Sequence, residues 1–120
     1  MRKLIHIPIW NRELLIVTPP HNLLTATRSF KMGRELITLV KNKPPEKNTS
    51  GCIYMCDKTG CYIIWFPNRK PLNTTIIHET NHLVNHMMKY IGAQQEKEAL
   101  AYTQEWLYEE IRRILRIPTP

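Results

Sequence analysis

Apolar residues recur along this chain with two different periods. Leu4-Ile5-His6-Ile7-Pro8-Ile9-Trp10 alternates, and Leu14-Leu15-Ile16-Val17 is a short apolar run, so two strands are expected, joined by a turn at Asn11-Arg12. Pro8 places the first strand at a sheet edge, where a missing N–H costs little. Pro19-Pro20 ends this stretch. Leu36, Ile37, Leu39 and Val40 then fit one face of a short helix, and Gly33 argues against one long helix reaching back through residues 24–32. Lys43 to Gly51 is a polar, proline-containing loop, the segment best suited to mobility. Beyond it, Cys52–Cys56 and Cys61–Phe66 flank Asp57-Lys58-Thr59-Gly60, a hairpin pattern in which Gly60 suits the left-handed closing position. Tyr62 to Phe66 is apolar on both faces. Its edge is expected to be exposed and able to hold an extended peptide.

After Pro71 the period changes to three and four. Thr80, Leu83, Val84, Met87, Tyr90 and Ile91 mark the buried face of a helix that Asn73 or Thr74 can cap and Gly92 can stop. A last helix is expected from about Gln94 to Leu115. Leu100, Thr103, Gln104, Leu107, Ile111 and Ile114 form its core stripe, and Glu109 with Arg113 an i,i+4 ion pair. Strands first and helices last predict an α+β fold in one domain spanning residues 1–120. A small, mostly antiparallel sheet (residues 3–17 and 52–66) is expected to pack against the two final helices.

The first of those helices carries His78-Glu79-x-x-His82. Four residues separate the imidazoles, so both project from one face, a turn apart. At about 100° per residue that face (His78, His82, Asn85, Lys89) lies opposite Ile77, Leu83, Val84, Met87 and Ile91. Neutral imidazoles at this spacing are zinc ligands, and Glu79, a quarter-turn away, is placed to take the proton of a metal-bound water. Composition alone predicts about 0.015 chance occurrences of the motif in a chain of this content, so a metal site is the better reading than a helix with surface histidines.

Two histidines make a weak zinc site, so a third protein ligand is expected. His86 continues the series but lies about 12 Å along the axis from His78, too far to share one ion. The last helix offers Glu96, Glu98 and Glu105. Glu98 is the preferred candidate, because it opens an Ala-containing stretch that would admit a close neighbour and points away from its own leucine stripe. Glu96 and Glu105 stay open as alternatives. His6 and His21 have no visible partner and read as packed or solvent histidines.

Composition changes this picture little. An apolar content of 42% and a charged content of 22% in 120 residues are ordinary for a globular protein. The formal net charge of +7 favours acidic partners, nucleic acid or anionic surfaces. The basic residues are scattered, however, and no nucleic-acid motif accompanies them, which leaves nucleic acid as the less favoured partner. Cys52, Cys56 and Cys61 lack the paired C-x2-C arms of a zinc ribbon and read as reduced thiols of a cytoplasmic protein. The N-terminal apolar run is broken by His6, Pro8, Asn11, Arg12 and Glu13, a strand pattern rather than a signal peptide. No run approaches the roughly 20 apolar residues of a membrane span.

With a glutamate on the following helix, His78-Glu79-x-x-His82 resembles the gluzincin branch of the zincin metallopeptidases. Glu96-Lys97-Glu98-Ala99-Leu100-Ala101-Tyr102 is similar to the Glu-x-Glu-Ala-x-x-aromatic pattern of ImmA/IrrE-type proteases, with the aromatic one place early. The stretch from about residue 50 to 108 looks most like short, phage-encoded zincin-like proteins. The resemblance implies a Zn2+ cofactor held by His78, His82 and Glu98, with Glu79 as general base. It further implies a hydrolase acting on a protein or peptide substrate, in the host cytoplasm if phage-encoded. Two other functions fit the residues: a non-catalytic zinc-binding protein that engages a host protein, and a basic nucleic-acid adaptor.

Overall fold

The computed structural model describes residues 1–8, 10–93 and 95–118. The chain is an α+β fold of one four-stranded mixed sheet and, among the described residues, four helices. It divides into two compact units, Met1–Arg69 and Lys70–Pro120.

The first unit holds the sheet. β1 (Arg2–Ile7) pairs antiparallel with β2 (Arg12–Val17), and β3 (Cys52–Cys56) pairs antiparallel with β4 (Cys61–Trp65). The two hairpins join through a parallel β2–β4 ladder, with Leu15 opposite Ile63, which gives the strand order β1-β2-β4-β3. As expected, the strand before Pro8 lies at an edge, and Ile9, counted in its alternation, lies outside the described residues. The Tyr62 strand does not fit the expectation. β4 is hydrogen-bonded on both sides, so the edge assigned to an extended peptide is already occupied, and the free edges belong to β1 and β3. Burial shows why. Leu14 to Val17 and Tyr62 to Ile64 are all fully buried, and a strand covered on both faces reads as a continuous apolar run.

α1 (Leu23–Ser29) and α2 (Arg34–Asn42) are separate helices. Asn22 caps the first by accepting the Thr25 N–H at 3.0 Å. Gly33, at φ +99°, precedes the second and breaks the run where its conformational freedom predicts. Leu23, Ala26, Leu36 and Val40 pack with Leu15, Val17, Tyr54 and Ile63 in one core cluster on one face of the sheet. Gly60 closes the β3–β4 turn at φ +71°, as its position predicts. Cys52, Cys56 and Cys61 form no disulfide.

The second unit is a helical hairpin of α3 (Asn73–Tyr90) and α4 (Lys97–Leu115). Leu72 occupies the N-cap of α3, without the side-chain bond that Asn73 or Thr74 would supply. Its C-terminus closes as expected. Gly92 is left-handed at φ +76°, the Ala93 N–H reaches the Met88 carbonyl at 2.8 Å and the Gly92 N–H reaches that of Lys89 at 3.3 Å. α4 starts at Lys97, later than expected, and Gln94 lies outside the described residues. The ion pairs of α4 are one residue tighter than the expected Glu109–Arg113 pair: Glu109 with Arg112 at 2.9 Å, and Glu110 with Arg113. Among the described residues no helix is long and apolar enough to cross a membrane.

Candidate metal centre

α3 is amphipathic with a polar seam inside its buried side. Ile76, Leu83, Val84, Met87 and Met88 are buried together with Thr80. Thr80 donates its hydroxyl to the Ile76 carbonyl at 2.7 Å and accepts Gln104 Nε2 from α4 at 2.6 Å. Tyr108 donates to Asn73 Oδ1 at 3.1 Å two turns away. These bonds fix which side of α3 meets α4. Ile77, expected on the apolar back, is instead 46% exposed, because the buried face is centred on Ile76, Thr80 and Met87.

The opposite side carries the histidines. His78 and His82 are both exposed, their rings meet edge to face at 4.5 Å between centroids, and the two Nε2 atoms stand 3.2 Å apart. A tetrahedral zinc with bonds of about 2.0–2.1 Å holds any two ligand atoms about 3.3–3.4 Å apart, so the pair is spaced as two such ligands. The same spacing suits a hydrogen bond between one protonated and one bare ring nitrogen. Asn81 and Asn85 share this surface, with Asn85 Nδ2 donating to the Asn81 carbonyl at 2.8 Å.

Glu79 behaves differently from its neighbours. It is 9% exposed, lying where the buried face of α3 meets the histidine face, beside His82. The helix therefore presents two open nitrogens and one sheltered carboxylate within a single turn. His86, one turn beyond His82, is half-buried.

The glutamates of α4 stand elsewhere. Glu96 is the N-cap residue, Glu98 lies in the first turn and Glu105 two turns on, and all three are exposed. At about 100° per residue Glu98 and Glu105 fall on the side of α4 turned away from the buried Thr103, Leu107 and Ile111. Among the described residues no group of three or more His, Cys, Asp or Glu side chains is gathered where a metal ion could sit. The donor set thus fits two zinc positions through His78 and His82, and among the described residues no third ligand stands with them. In the sequence Thr80 and Gln104 were visible only as polar members of apolar stripes and Asn73 only as a helix cap, with nothing to pair them with their partners.

A comparison of the chain with known protein families, with curated proteins and with solved structures finds no match in any of the three.

Proposed function

We propose that this chain is a zinc-dependent metallopeptidase, similar to the zincins, in which His78 and His82 hold the ion and Glu79 is the general base. One observation carries this reading: the 3.2 Å convergence of the two Nε2 atoms on the open face of α3, with Glu79 next to them. When bound there, zinc would lower the pKa of water toward neutrality and polarise a carbonyl. The rest is work for the protein's own groups. Neutral imidazoles present their nitrogens outward at small entropic cost, since a rigid helix already spaces them. Glu79, poorly hydrated at the margin of the buried face, accepts a proton from the attacking water and passes it to the leaving amine. In this proposal the third ligand is Glu98, as the resemblance implies, with Glu96 and Glu105 as alternatives. The substrate is a protein or peptide, and the compartment is the cytoplasm.

A second reading is favoured by the placement of Glu98, exposed on the side of α4 opposite its buried residues. On that reading the histidine pair binds zinc without catalysis, and the chain acts by engaging another protein. One experiment separates the two. Zinc content is measured by elemental analysis, and hydrolysis of unfolded casein is followed, for the wild type, His82→Ala, Glu98→Ala and Glu79→Gln. The peptidase predicts about one zinc per chain, lost in His82→Ala, with Glu79→Gln keeping zinc and losing at least about 100-fold in turnover. Zinc bound with no hydrolysis in any variant would establish the second reading, and no zinc in the wild type would remove both.

A further inference from the structure

The first unit carries a surface pocket of about 590 Å³, within the range of sites that take small molecules. Its walls include two diproline segments, Pro19-Pro20 and Pro44-Pro45, together with Leu24 and Trp65. Proline offers no N–H and little torsional freedom, so such walls are apolar, poorly hydrated and already set before a ligand arrives. Hydrogen bonds tie both segments down at the residue before the first proline. Thr18, next to Pro19, donates its N–H to the Met1 carbonyl at 2.7 Å. The Lys43 carbonyl, next to Pro44, accepts the hydroxyl of the buried Tyr54 at 2.5 Å.

The polar lining is Lys41, His21 and Asn22, and its one fixed charge, on Lys41, is positive. Lys41, in the last turn of α2, and His21 face this pocket, and among the described residues no acidic side chain lines it. The surroundings of His21 add to this. Loss of hydration, then the positive charges of the N-terminus and Arg2, hold its pKa below the ordinary value. The half-buried Trp65 supplies a flat indole on which a ring can stack.

We propose that this pocket binds a small aromatic carboxylate of two or three rings, its ring system between the diproline walls and Trp65 and its carboxylate toward Lys41 and His21. A cation would be repelled there. A neutral apolar molecule would desolvate Lys41 and His21 and give nothing back. The site is independent of the metal reading and stands or falls apart from it.

The test is a nitrogen-15 NMR titration of the full chain with 1-naphthylacetate, 1-naphthalenemethanol and 1-naphthylmethylamine. The carboxylate is expected to shift the amides of residues 21–24 and 41–43 and the Trp65 indole, with a Kd of about 0.1–1 mM. The alcohol should bind at least about fivefold more weakly and the amine not measurably. Lys41 is exposed, so Lys41→Glu should leave the rest of the spectrum in place while weakening the carboxylate about tenfold. Equal binding of alcohol and carboxylate, an unchanged Kd in Lys41→Glu, or no shift of these amides at about 10 mM ligand would each overturn the proposal.

Discussion

His21 stands where its own charge is disfavoured, first by lost hydration and then by the positive charges of the N-terminus and Arg2. A pKa lowered in the folded state links to stability with a definite sign. Above the ordinary value of 6.5 both states carry a neutral ring, and the group has no effect. As the pH falls through 6.5 the unfolded chain takes up the proton first, so stability drops until the folded-state pKa has been passed. NMR titration should therefore find His21 below 6.5, and Arg2→Gln should raise it. An unmoved value in Arg2→Gln would assign the shift to hydration and the N-terminus alone. At the same scale, the histidine pair of α3 was legible in the sequence because four-residue spacing is fixed inside a helix, whatever packs around it. The position of Glu98 was not, because its azimuth depends on how the second helix docks.

Between the two helices, the Thr80–Gln104 bond is only half of what Gln104 needs. Its Nε2 reaches Thr80 and, at 3.5 Å, the Ile77 carbonyl, but among the described residues its buried Oε1 has no hydrogen-bond partner. The two members of the bond should then respond unequally to replacement. Thr80→Val takes the 2.6 Å acceptor from that amide and leaves it the longer contact to the Ile77 carbonyl, at an expected cost of about 1–2 kcal/mol, whereas Gln104→Met removes the unpaired oxygen with the bond and should stay within about 1 kcal/mol of wild type. Urea denaturation of both variants checks this, and equal losses would contradict it. Among the elements, the sequence marked those whose signals are local. Gly33 separated α1 from α2, Gly60 closed a hairpin and Gly92 ended α3. The strand pairing was harder to read, since β2 and β4 meet across more than forty residues of chain. A clue existed: Leu14 to Val17 and Tyr62 to Ile64 lack polar alternation, which marks interior strands, and an exposed edge for β4 was the wrong inference from that run.

At the scale of the whole molecule, α+β was legible because strand-period segments precede helix-period ones, and the mixed sheet was not, because periodicity says nothing about which strands are neighbours. The excess of basic residues has a general consequence: net charge far from zero keeps copies apart in solution. That repulsion is not evenly backed up by the sheet itself. β1 begins with Arg2-Lys3 and is followed by Pro8, features that make an edge a poor template for another strand. β3, the other edge, reads Cys-Ile-Tyr-Met-Cys, with no charge and no proline in its five residues. Sheet growth from molecule to molecule should therefore start at β3 whenever salt screens the charge. Met55→Lys, half-exposed on that strand, is expected to lengthen the lag before thioflavin-positive fibrils appear at high salt, while a lysine added in β1 changes little. The chain's weak point against aggregation is thus the outer strand of a hairpin whose inner strand, β4, is sealed on both sides.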